Sequence, residues 1–189
     1  MARLAKLPPG ALDDEQMRLY RAITGGPRGG GTQAVPLVDS EGALEGPFNA
    51  MLLNPAIGTA LQALGAAIRF EGALPARMRE LATLVVAAQW DCGFEQYAHE
   101  QAGRRLGLRV EDFEAIRAGR EPELHDEGER AAVRAAWKLV RSGDLDDTDY
   151  ADLVERLGTE AVFELTTLVG YYATLALQLR VFRVDAPES

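Results

Sequence analysis

The sequence predicts an all-α fold, and three observations carry that expectation. Apolar residues recur at the three- and four-residue steps of an α-helix through most of the chain. No segment alternates apolar and polar residues over five or more positions, as a half-buried strand would. Glycines and capping residues stand at the ends of the periodic runs, where a helix needs a left-handed stop or a side-chain partner.

In chain order, Leu12, Gln16, Leu19, Tyr20 and Ile23 mark a helix over Asp13–Ile23. From Gly25 to Gly46 the chain is dense in glycine and proline and lacks a period, so a long functional or mobile loop is expected there. Ile57, Leu61, Leu64 and Ile68 predict a helix over Pro55–Phe70. Pro75 suits the first turn of the next, which runs through Met78, Leu81, Leu84, Val85 and Ala88. Asp91 is placed to cap a helix from Cys92 to Leu106, with Gly107 as its stop. Val110–Ala118 ends at Gly119. Asp126 and Glu129 form a capping-box-like start to a helix that reaches Arg141 and stops at Gly143. Asp149–Leu157 ends at Gly158, and Thr159 caps the last and longest helix, to Phe182. That helix is apolar on more than one face, which places it at the centre of the fold or in a subunit interface. The expected organisation is one domain. Residues 1–45 supply an N-terminal helix and loop packed on a helical core of residues 46–189.

Composition narrows the class. A chain of 189 residues can bury a core without disulfides or a structural metal. The lone cysteine, Cys92, excludes an internal disulfide and any zinc site of several thiolates. A net charge of −9 argues against nucleic-acid binding. Met1–Gly10 lacks the apolar core of a signal peptide, and Leu165–Leu179 falls short of the roughly 20 apolar residues of a membrane span. A soluble, cytoplasmic protein with no membrane partner is expected.

Reactive residue types gather in one region: Glu80, then the run from Asp91 to His99. On a helix opened by Cys92, Cys92, Glu95 and His99 share a face, and Glu95 and His99 form an i,i+4 pair. A carboxylate beside an imidazole raises its pKa and fixes its tautomer, as a general acid/base requires. A hairpin with the preceding helix brings Glu80 over the same face. Simpler readings stand beside this one. The pair is compatible with a solvated helix surface, Glu80 with an ion pair to Arg77, and Cys92 with a small buried hydrophobe. A helix N-terminus at Cys92 lowers a thiol pKa, while neighbouring Asp91 opposes it. His125 lies in a charged stretch and is expected at the surface. No metal is expected, because the carboxylate-bridged di-iron pattern sets Glu and His at i,i+3.

The run Arg79-Glu80-Leu81-Ala82, eleven residues from Glu80 to Cys92, then Glu95 and His99, resembles the carboxymuconolactone decarboxylase / alkylhydroperoxidase AhpD-like family. So do Leu74-Pro75-Ala76-Arg77, Glu45-Gly46-Pro47-Phe48-Asn49 and Gly170-Tyr171-Tyr172; the firm likeness spans about residues 44–120. The family's thiol peroxidases carry Glu-x11-Cys-x-x-Cys-x-x-x-His, and here Glu95 replaces the second cysteine. That cysteine is the one that attacks peroxide, so the two-cysteine cycle cannot run within one chain. The resemblance implies an all-helical fold in a symmetric homo-oligomer, a trimer or hexamer, without a cofactor. It also implies the chemistry of the decarboxylase branch, proton transfer beside a carbonyl of a small organic acid or lactone. The expected site comprises His99 as general acid/base, Glu95 as its orienting carboxylate, Glu80 as a second proton-handling group, and Tyr97, Tyr171 and Tyr172 as substrate-binding donors. Two alternatives are a peroxidase using Cys92 with an external thiol, and a non-catalytic oligomeric ligand-binding or scaffold protein.

Overall fold

A 3₁₀ turn (Pro9–Ala11) leads into eight helices in the computed structural model, which describes residues 3–30 and 35–186. They are α1 (Asp14–Thr24), α2 (Pro47–Met51), α3 (Pro55–Phe70), α4 (Ala76–Gln89), α5 (Gly93–Arg105), α6 (Val110–Arg117), α7 (Glu127–Ser142) and α8 (Asp147–Phe182). Among the described residues there is no strand, only an isolated antiparallel bridge between Val38 and Leu44. The all-α expectation holds. Of the expected loop, residues 31–34 lie outside the described residues, as do Met1 and Ala2 of the N-terminal stretch.

The caps show why the helices begin and end where they do. Asp13 and Gln16 close a reciprocal capping box on α1. Asp126 accepts from the backbone N–H of Glu129 at the start of α7, but the Glu129 carboxylate turns away to accept from Arg77 at 2.6 Å. Asp91 does not cap α5. It is a left-handed residue (φ 47°) with an exposed side chain, and Cys92 takes the N-cap position. The two helices expected on either side of Gly158 meet there at a kink, since that residue's φ of 82° and ψ of 159° are not helical; the pair makes up α8. Taken together, Asp147–Phe182 is long and apolar enough, by length and composition, to cross a membrane. Here it packs against α2, α3, α4 and α7 instead. Its apolar character is only partly spent on the core: Leu165, Leu168, Leu175 and Leu179 are buried, while Phe163, Leu177 and Val181 are exposed.

The centre of the fold is α4. From Met78 to Ala87 every side chain but Arg79 is buried, because α5, α6, α7 and α8 all pack around it. Leu81, Val85 and Val86 meet the small side chains Ala132, Val133 and Ala136 of α7 and the leucines Leu165 and Leu168 of α8. A second cluster ties the N-terminal region down, with Leu19 and Ile23 of α1 joining Leu44, Met51 and Leu52 against Tyr171 and Leu175. The short helix α2, which periodicity does not reveal, is fixed by the buried Asn49. Its side chain accepts from the N–H of Leu7 at 3.2 Å and donates to the carbonyl of Ala5 at 3.1 Å.

Candidate active site

Glu80 sits in the first half of the most buried helix, and the α4–α5 turn folds α5 back along it. That hairpin sets His99 beside Glu80, with Glu95 one turn before His99 on α5. His99 Nδ1 donates to Glu80 Oε2 at 2.6 Å, and His99 Nε2 donates to Glu95 Oε2 at 3.1 Å. All three side chains are buried. Arg69 of α3 completes the far side of Glu80, donating to Oε1 at 3.3 Å.

The electrostatics follow from this clamp. Burial alone would push the His99 pKa down. The adjoining carboxylates of Glu80 and Glu95 outweigh burial and raise it to about 9, so the ring is imidazolium at neutral pH and both N–H groups are committed. Burial works to raise the Glu80 pKa, but the His99 and Arg69 cations hold it below its usual value. Glu95 differs from Glu80 in one respect: its Oε1 is buried without a protein hydrogen-bond partner among the described residues.

These groups line a cavity of about 390 Å³ between α3, α4, α5, α8 and the N-terminal region. Tyr171 and Tyr172 of α8 form part of its wall. Tyr172 packs edge-on against His99 at 5.0 Å, and Tyr171 packs edge-on against Tyr172 at 5.2 Å. Both phenols are neutral, their pKa values raised by burial, to about 12 for Tyr171. Gly46 brings the next part of the wall in: a Cβ there would overlap the Phe94 ring, and its φ of 57° suits glycine.

The site therefore gathers Glu80, Glu95, His99, Tyr171 and Tyr172. Two of the expected residues do not join. Tyr97 is half-buried and is absent from the cavity wall, because its place on α5 turns it from the face that carries Glu95 and His99. Cys92 is buried among Phe94, Ala176 and Leu179, beside a different and smaller cavity that Arg180 and Arg183 help to line. Burial pushes its thiol up to about 11, against the opposing pull of the Glu95 and Phe94 backbone N–H groups. Glu80 does not pair with Arg77, which is held by Glu129. His125 is exposed. Among the described residues no three His, Cys, Asp or Glu side chains are grouped to hold a metal ion.

Sequence reasoning missed the cationic part of the wall, Arg28, Arg69, Arg79 and Arg105, together with Phe48 and Phe70. Arg79 adjoins Glu80, and Arg69 closes the helix before it, so both carried a signal. Arg28 carried none, lying in the glycine-rich stretch.

Comparison with known proteins agrees with this architecture. Residues 55–138 match the Carboxymuconolactone decarboxylase family. A peroxidase-related protein from Ralstonia eutropha JMP134, described as an alkylhydroperoxidase AhpD core, superposes with a TM-score of 0.77 at 15% identity, over 99% of this chain and 93% of that one. A second peroxidase-related protein, from Silicibacter sp. TM1040, gives 0.75 at 18% identity, over 98% and 92%. The debrominase Bmp8 gives 0.68 at 15% identity, over 92% and 87%. These likenesses establish a shared fold. No curated protein matches the sequence.

Proposed function

We propose that this chain, whose residues 55–138 belong to the carboxymuconolactone decarboxylase family, moves a proton at a carbon beside the carbonyl of a small organic acid. The reaction is a decarboxylation or the isomerisation of a lactone. The observation that supports this is the His99 imidazolium held between Glu80 and Glu95 on the wall of a cavity of about 390 Å³.

The roles differ from the simplest assignment. Because both His99 nitrogens are engaged, the group that meets substrate is Glu95, through the oxygen that has no hydrogen-bond partner among the described residues. In a decarboxylation, the bond to the departing carboxylate breaks and its electron pair enters an enolate, which the cavity arginines stabilise. His99 passes its Nε2 proton to Glu95, and Glu95 delivers a proton to the carbanion carbon; water restores the imidazolium. In an isomerisation Glu95 takes the proton from one carbon and returns it to another. Glu80 keeps His99 oriented throughout and favours the return of its charge after each transfer.

The likeness to peroxidase-related proteins supports a second reading, hydroperoxide reduction by Cys92 with an external thiol. The burial and high pKa of that thiol oppose it. The proposal includes a homo-oligomer, supported by the exposed Phe163, Leu177 and Val181 on α8.

A screen of β-keto acids and unsaturated lactones in deuterated water tests the reading. Turnover with deuterium placed on carbon is expected, falling about a hundredfold or more in Glu95→Gln, as for loss of a general acid/base. Turnover that survives Glu95→Gln unchanged would overturn it.

A further inference from the structure

The arginines on the cavity wall differ in what already holds them. Arg69 is tied to Glu80 at 3.3 Å, and Arg28 and Arg105 have interactions of their own within the chain. Arg79 is held otherwise. Its Nη1 donates to the carbonyl of Leu74 at 2.8 Å, which occupies one edge of the guanidinium. On the other edge, Nε is buried with no hydrogen-bond partner among the described residues. Burial lowers the Arg79 pKa against the charges of Glu80 and Glu164, yet neither carboxylate has an oxygen to spare. Those of Glu80 are taken by Arg69 and His99. Those of Glu164 accept from the N–H groups of Ala73 and Leu74, each at 2.7 Å. These last bonds also brace the tether. Leu74 is buried in the turn between α3 and α4, so Glu164 of α8 fixes the residue whose carbonyl fixes Arg79.

A buried N–H without an acceptor costs free energy that a ligand oxygen offsets. The Nε and Nη2 hydrogens of a guanidinium lie side by side, in the fork that matches the two oxygens of a carboxylate. Phe48, Phe70 and Tyr171 on the same wall suit a flat apolar body. We infer that Arg79 receives a carboxylate of the substrate on its Nε edge, and that Glu164 positions it for this through Leu74. This rests on the reading of the site as one for small organic acids and deepens it, by naming the residue that recognises the acid. The group held is one that the product keeps, because a carboxylate leaving as carbon dioxide gives up the charge that the arginine binds.

Benzoate, with benzyl alcohol as its neutral counterpart, probes the assignment by NMR titration of the wild type and of Arg79→Met, Arg79→Lys and Glu164→Ala. Benzoate is expected to bind the wild type about tenfold or more tightly than benzyl alcohol, a comparison that needs no variant to fold. Arg79→Met should weaken benzoate about ten- to a hundredfold, the worth of one hydrogen bond to a charged group. Arg79→Lys, which keeps the charge and loses the fork, should recover part of the affinity. Glu164→Ala should weaken benzoate about threefold or more in the wild type and add nothing in the Arg79→Met background. Equal affinity for the two ligands, benzoate binding unchanged in Arg79→Met, or no benzoate binding to the wild type up to about 10 mM would overturn the assignment. An equal loss from Glu164→Ala in both backgrounds would overturn the positioning role. Glu95→Gln separates this claim from the catalytic one: it should abolish proton transfer and leave benzoate bound at least as tightly.

Discussion

Glu80 and His99 stand nineteen residues apart in the chain and 2.6 Å apart in space, joined through Oε2 and Nδ1. Neither helix alone produces this pairing. It needs α4 buried on all sides, so that Glu80 cannot turn to water, and α5 folded back along it. A carboxylate in such a position is held as an ion only by the cations beside it, His99 and Arg69.

Removing one partner should therefore be costly. Glu80→Gln is expected to destabilise the fold by about 3 kcal/mol, the usual cost of breaking a buried pair, and to lower the His99 pKa. Urea unfolding of wild type and variant measures the first effect. A loss below about 1 kcal/mol would show that His99 is neutral in the folded chain.

Stability should depend on pH on both sides of neutrality. The folded His99 pKa, about 9, lies above its unfolded value, so its contribution is complete below about 6.5 and is lost as pH rises through 9. The Glu80 pKa is depressed, so its contribution is complete above about 4.5 and is lost as pH falls through its lower folded value. Both describe one interaction and count once. Denaturation midpoints from pH 3 to 10 should show a plateau between about 5 and 7 in the wild type. His99→Gln should remove the alkaline fall.

Cys92 is expected to be inert. Its side chain is 2% exposed and its thiol is pushed up to about 11, so little thiolate exists at neutral pH. Disulfide-exchange reagents should label it only on unfolding, and hydroperoxide reduction should be weak and equal in wild type and Cys92→Ser. Rapid labelling of the native chain would contradict the burial.

The proposed self-association rests on α8. Sedimentation at micromolar concentration is expected to return a species larger than the 20.5 kDa chain. Placing Asp at Phe163 and Val181 should shift it to the monomer, since two charges on an apolar contact are strongly disfavoured. A wild-type monomer would remove the proposal.

Much of the fold was legible because helices announce themselves locally. Pro55–Phe70 is helical over the bounds that its periodicity marks. The exceptions have physical causes. Asp91 looks like a cap, but the turn between α4 and α5 needs a left-handed residue there, and Arg180 of α8 donates to its backbone carbonyl at 2.9 Å. Gly158, by contrast, reads as a stop and acts as one, its φ of 82° and ψ of 159° breaking the helical run within α8. At the site, the i,i+4 pair of Glu95 and His99 was visible in the sequence, whereas the greater closeness of Glu80 depended on how the two helices pack. Tyr97 shares a helix with the site and misses it by rotation alone.

The central claim is that His99 stays charged between two carboxylates, leaving Glu95 to meet the substrate. Nitrogen-15 NMR titration of the two histidines tests it most directly, with exposed His125 as the internal reference. The account expects His99 to remain doubly protonated through neutral pH and to titrate near 9. A His99 that loses its proton below about 6.5 would mean a dry, neutral site, and the proton relay through Glu95 would fall with it.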